Sequence, residues 1–205
     1  MKLFHSATSP YVRKVMVALI ETDQLSKVEL VPVKISPMNS GDQVPSSNPL
    51  GKIPCLIRNN GKPIYDSRVI CRYLDTMHDG AKLYPNDSSL WDVLTLESVA
   101  DGINEAAILM AYEKLLRPEQ HQSDDWIDAQ WLKISRSLDM LENDEISHLN
   151  GKPDMACHAV CASLGYLDLR HDSRSWREGR PELTAWEAEF SRRPAMVATL
   201  PELPK

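Results

Sequence analysis

Ser9 stands directly before Pro10, the order in which a helix N-cap precedes the first helical residue. Unpaired N–H groups and the helix dipole at such a start favour a nearby negative charge, and a serine hydroxyl can donate a hydrogen bond to it. A bound thiolate is stabilised there, since helix starts bring a thiol pKa from about 8.5 into or below the neutral range. Ser9 would then activate another molecule's sulfur without attacking anything itself. In Lys52-Ile53-Pro54 the proline removes a ladder donor and permits a cis bond, which leaves the Ile53 N–H and C=O open to an extended peptide added at a sheet edge. In Asp66-Ser67, at a second helix start, free N–H groups and the Ser67 hydroxyl can hold a carboxylate while Asp66 attracts an ammonium. Taken singly, each group is the chemistry of plain capping or of an edge proline. Together they suit a small peptide with an amino-acid terminus at one end, a thiol in the middle and an extended backbone between.

The elements that must position these groups are legible around them. Lys2 to Ser6 reads as a short strand leading into a helix whose buried stripe is Val12, Val15, Met16 and Leu19, with Arg13 and Lys14 presented elsewhere and an end near Asp23. Val28 to Ile35 reads as a second strand parallel to the first, followed by a polar loop. Ile53 to Arg58 and Pro63 to Tyr65 form an antiparallel pair across Asn59-Asn60-Gly61. A helix from Asp66-Ser67 carries Val69, Ile70, Tyr73, Leu74 and Met77 and fades at His78-Asp79-Gly80. The expected organisation is a βαβ-ββα domain over residues 1–79, a linker over 80–88 and an all-helical domain over 89–205. The helices expected there are Ser89 to Arg117, Ser123 to Leu149, Asp154 to Arg170 and Pro181 to Ser191. Ile127, Trp131, Ile134, Leu138 and Leu141 follow a heptad-like pattern that predicts near-antiparallel packing in a bundle.

Glutathione fits the description of the small peptide. Ser9-Pro10-Tyr11 with Arg13, the run Asn48-Pro49-Leu50-Gly51-Lys52-Ile53-Pro54, and Asp66-Ser67 followed by Ile70 and Tyr73 resemble the glutathione S-transferase pattern, in its serine-type and small bacterial form. The resemblance implies an α/β thioredoxin-like first domain, an all-α helical bundle domain and a homodimer. By position it implies that Ser9 activates the thiol, Ile53 and Pro54 pair with the peptide, Asp66 and Ser67 hold the γ-glutamyl end, and Lys52 approaches the glycine carboxylate. The implied activity is conjugation of glutathione to an electrophilic small molecule or displacement on it. The alternatives are a glutathione-dependent peroxidase or dehalogenase, or a binding module that keeps the fold without turnover. Trp186, Arg193-Pro194 and a helix start at Asp154 carry the resemblance into the second domain, although Cys157 stands where the family has an acid, so the reciprocal capping bond is lost.

Other readings fare worse. A net charge of −6 over 205 residues, with only isolated pairs such as Arg13-Lys14 and Arg192-Arg193, gives no electrostatic footprint for nucleic acid. No secretory leader or bilayer-length apolar run is apparent, so the expected compartment is the cytoplasm. Cys55, Cys71, Cys157 and Cys161 fall in apolar segments as reduced core thiols, which disfavours disulfide chemistry through the protein's own sulfur. His5, not tyrosine, ends the first strand, and the serine and cysteine pairing of a maleylacetoacetate isomerase is missing. Cys157, His158 and Cys161 read as packing, and no metal is expected. Tyr11, Met110 and Tyr112 are candidates for the electrophile's pocket or for the core, and Asp101 reads as a solvated helix-face acid, while the family resemblance implies the alternative of an acid reaching across a dimer to the partner's glutathione amino group.

Overall fold

The computed structural model describes residues 1–201. Strand β1 (Lys2–His5) runs through a short turn into α1 (Pro10–Glu21), and β2 (Glu29–Pro32) returns parallel to β1. A five-residue helix α2 (Gln43–Ser47) interrupts the loop that reads as irregular in the sequence. β3 (Cys55–Ile57) pairs antiparallel with β1, and β4 (Pro63–Ile64) antiparallel with β3, giving the order β2-β1-β3-β4. Both expected pairings, β1 with β2 and β3 with β4, are present in strands shorter than the sequence suggests, and the β1–β3 pairing joins them into one sheet. Helix α3 (Ser67–Asp75) closes this layer.

The remainder is helical: α4 (Leu90–Leu116), α5 (Asp124–Asn143), α6 (Ile146–Leu149), α7 (Met155–His171), α8 (Pro181–Phe190) and α9 (Pro194–Ala198). The long helix expected from Ser123 to Leu149 is broken at Asp144-Glu145, where the Asp144 N–H closes α5 onto the Met140 carbonyl. Ser123 caps α5 through the Trp126 N–H, and Asp154 caps α7 through the Cys157 N–H. With Cys157 in place of the expected acid, Asp154 is still held on both oxygens, Oδ1 by the Cys157 N–H and Oδ2 by His148 Nε2 at 2.9 Å. One core joins both layers: Leu3, Val15, Leu19, Leu56 and Ile70 from the sheet side meet Ala100, Ile103, Val160 and Leu164 from the helices. No helix among the described residues is long and apolar enough to cross a membrane.

Helix α1 is enclosed on several faces, which overturns the expectation that Arg13 and Lys14 face away from buried surroundings. Arg13 is 5% exposed; its Nη2 donates to the Met196 carbonyl at 3.2 Å and its Nε to Thr199 Oγ1 at 3.4 Å. Gly165 of α7 makes room for it, since a Cβ there would lie 2.3 Å from Arg13 Nη1.

At the other end of α1, His158 Nε2 lies 3.2 Å from Glu21 Oε1, and Arg193 Nη2 lies 3.1 Å from Glu21 Oε2. The His158 imidazole foremost, and Arg193 after it, hold the Glu21 carboxyl down at about 2 against the opposing effect of burial. A carboxyl with a depressed folded pKa stabilises above its unfolded value and loses that contribution as the pH falls through the folded one. Glu21→Gln is therefore expected to cost about 2–3 kcal/mol at neutral pH. The difference from wild type should close between about pH 4.5 and pH 2. Urea unfolding of both proteins across that range measures it, and a pH-independent deficit would exclude the ion pair as its source.

Candidate functional site

Ser9 has extended backbone angles and caps α1, its Oγ accepting the Val12 N–H at 3.3 Å. With the oxygen engaged as acceptor, the hydroxyl proton remains available to an anion outside the helix. The Ser9 N–H itself is tied to the Ser6 carbonyl at 3.2 Å, which fixes where the hydroxyl sits after β1. Burial lowers the pKa of His5 at the end of that strand, which favours its neutral form beside the turn.

Pro54 is buried, Ile53 half-buried and Lys52 exposed, and the Ile53–Pro54 peptide bond is cis. Asn48, 1% exposed, braces the preceding turn: its Nδ2 donates to the Lys52 carbonyl at 2.8 Å and its Oδ1 accepts the Leu50 N–H at 3.1 Å. Asn48 belongs to the motif visible in the sequence, but its bracing role is evident only from these bonds. Gly51 completes the turn at φ +63, with Ser40 Oγ only 2.2 Å from the position of a Cβ. Gly51→Ala forces a left-handed alanine into that gap and is expected to lower stability by about 1–2 kcal/mol. A shift in the guanidinium unfolding midpoint at unchanged slope would show it, and an unchanged midpoint would mean that the turn relaxes freely.

Asp66 caps α3, its Oδ1 accepting the Arg68 N–H at 3.0 Å, and its Oδ2 lies 3.2 Å from Arg68 Nη2. Burial resists ionisation here, but the Arg68 guanidinium and the Arg68 and Val69 N–H groups outweigh it and hold Asp66 below the usual carboxylate range. Ser67 is 2% exposed at the first position of α3. β3 follows directly from the Lys52-Ile53-Pro54 segment and lies beside β1, whose end leads to Ser9, while β4 on its other side leads to Asp66. The three groups thus gather at one end of the strands, past the end of β1, the start of β3 and the end of β4.

Behind them lies a charge cluster that the sequence conceals. Lys14, 2% exposed, sits 2.9 Å from Glu97 Oε1 and 2.8 Å from Asp101 Oδ1. Tyr84 donates to Glu97 Oε2 at 3.0 Å, and Arg68 Nε lies 3.5 Å from Asp101 Oδ2. Asp101 is 5% exposed, so the reading of it as a solvated acid is wrong. Met110 packs in the core at 2% exposure, whereas Tyr11 and Tyr112 remain partly open.

All four cysteines are free and buried, and burial pushes Cys55 up to about 11 and both Cys157 and Cys161 up to about 12. At neutral pH these are thiols, ill suited to nucleophilic attack. Ligand atoms of His148, Asp154 and Cys157 lie within 4.8 Å of one another, but each already serves the α7 cap: Asp154 bonds His148 and the Cys157 N–H, and Cys157 Sγ donates to the Leu149 carbonyl at 3.8 Å.

Comparison with known proteins agrees with this architecture. A family profile described as the glutathione S-transferase N-terminal domain matches residues 3–82. The GST-like protein YibF of Escherichia coli (strain K12) is 33% identical over 205 residues, covering 98% of both chains. A glutathione transferase family member from Pseudomonas fluorescens Pf-5, solved with bound glutathione, is 47% identical, covers 98% of this chain and 99% of its own, and superposes with a TM-score of 0.97. A structure with bound S-(propanoic acid)-glutathione, from the same organism, is 46% identical over 99% of this chain and 100% of its own, with a TM-score of 0.93. On this near full-length likeness in sequence and structure, the chain belongs to the glutathione S-transferase family.

Proposed function

We propose that this protein is a glutathione transferase in which Ser9 holds the glutathione sulfur as a thiolate for attack on an electrophilic small molecule. The observation that carries the reading is the Ser9 hydroxyl, whose oxygen is occupied by the Val12 N–H and whose proton is therefore free to be donated. Donor and helix start act together on the developing anion. The Ile53 backbone beside Pro54 pairs with the tripeptide, Lys52 meets its glycine carboxylate, and Asp66 with Ser67 receives the γ-glutamyl end. The ionised state of Asp66 suits an ammonium partner. In the reaction a carbon–sulfur bond forms and the thiol proton passes to solvent. The leaving group departs with its electron pair or, in addition to an activated double bond, the adjacent carbon takes up a proton. Relatives with bound glutathione and with a carboxylate-bearing glutathione adduct support both halves of the pocket. A cytoplasmic homodimer is the assembly this reading carries.

Titration calorimetry with glutathione, followed by turnover assays on a panel of aryl halides and activated alkenes, tests the proposal. Binding with turnover is the expected result. No binding would overturn the reading, and binding without any turnover would favour a non-catalytic module.

A further inference from the structure

The register of three helices places one cation at the level of Ser9. On α1 and α7, Arg13 meets Gly165 and Glu21 meets His158, so the two helices run antiparallel. At about 1.5 Å per residue on each helix, continuing from Arg13 to Ser9 corresponds to moving from Gly165 to about Leu169. A helical side chain covers the surface about one position towards its own N-terminus, which brings Arg170 over that level. On α4 and α7, Ser163 Oγ donates to the Ala100 carbonyl at 3.0 Å and His171 Nε2 pairs with the Ala107 carbonyl at 2.8 Å, so these helices run parallel.

Around α7, at about 100° per residue, Gly165 marks the side facing α1 and Ser163 the side facing α4, roughly 160° away. Tyr166 and Arg170, at about 100° and 140° from Gly165, fall between them, in the wedge where α1 and α4 converge. Tyr11 borders the same wedge, its hydroxyl 3.5 Å from the Asp101 carbonyl. Tyr112 stands farther along α4, and Arg170 acts on both phenols, opposing the rise that burial imposes on Tyr166 and Tyr112.

Arg170 makes no ion pair among the described residues, and its Nε is buried without an acceptor. A half-buried guanidinium lacking a counter-charge is short of the partner it is best shaped to receive, a carboxylate held by two parallel N–H bonds. The acid nearest this mouth in register is Glu105, which is exposed and therefore screened by solvent.

We infer that Arg170, flanked by Tyr112 and Tyr166, forms an anion-binding subsite that selects electrophiles carrying a carboxylate. The inference rests on the glutathione-transferase reading and names the substrate class for its second pocket. It is tested on stable adducts, without turnover, by comparing calorimetric affinities for S-(2-carboxyethyl)glutathione and S-(2-carbamoylethyl)glutathione, which are nearly isosteric and differ in charge. The wild-type protein should bind the carboxylate adduct about tenfold more tightly. Arg170→Gln should abolish the preference and Arg170→Lys should keep part of it, a pattern that a purely structural arginine would not produce. The Lys variant carries the test if the Gln variant does not fold. Equal wild-type affinity for the two adducts, or a preference that survives Arg170→Gln, overturns the subsite while leaving glutathione binding intact. Failure of unsubstituted glutathione to bind wild type removes the transferase reading and this inference with it.

Discussion

Ser9→Ala is expected to lower kcat/KM for conjugation by about 100-fold, the size of effect seen when one preorganised donor to a developing anion is removed. Alanine also removes the cap on the Val12 N–H, a loss of about 1 kcal/mol in stability. The two effects are separable. Ser9→Asn keeps a capping side chain and should hold the melting temperature near wild type while activity still falls. The pH profile gives the decisive reading, because the apparent thiol pKa in kcat/KM should rise towards the free value of about 8.5 once the hydroxyl is gone. A profile that does not move would take Ser9 out of sulfur activation and leave it as a helix cap.

The second large effect belongs to Lys14. Its ammonium lies within 3 Å of both Glu97, 0% exposed, and Asp101, and Lys14→Met strands those two carboxylates in the core. Breaking such a cluster from one side costs about 3–5 kcal/mol. In a chain of this size that corresponds to a fall of roughly 10 °C in melting temperature. Burial alone would lower the Lys14 pKa, but Glu97 and Asp101 reverse the direction and raise it. A raised folded pKa means that the contribution is complete below the ordinary lysine value of about 10.4 and is lost only as the pH climbs above it. The deficit of Lys14→Met should therefore persist at neutral pH and shrink in acid, as the stranded carboxylates take up protons. Adding Glu97→Gln and Asp101→Asn should recover most of the loss, and calorimetric scans of the single and triple variants decide the matter. A triple variant no more stable than the single one would show that packing of the lysine stem, and not charge, is what matters.

Local chemistry was readable in the sequence, and long-range partnership was not. Ser9, Asp66 and Asp154 announce helix starts because a cap needs only its own next turn, and all three do cap. The Asn-Gly hairpin and the parallel return of β2 depend on neighbouring residues in the same way. The burial of Arg13 and Lys14 is not legible, because one apolar stripe on α1 says nothing of what covers its other faces, and the acceptors that make burial tolerable lie 87 and 183 residues away. The burial of Asp101 is hidden for the same reason. Helix α2 is hidden by Pro45 and its polar neighbours, and α9 is so short that its leading Pro194 reads as a stop. Arg68, whose guanidinium touches both Asp66 and Asp101, has no signal beyond being a cation just inside a helix start.

The bond from Arg13 to the Met196 carbonyl has a consequence for the order of events during synthesis. At about 5–20 residues per second, the ribosome needs roughly 10–40 s to add the 183 residues between donor and acceptor. For that interval the nascent α1 holds a guanidinium without its Met196 acceptor, and for about the first half of it an ammonium awaiting Asp101. The segment translated among the first is thus among the last to reach its final contacts.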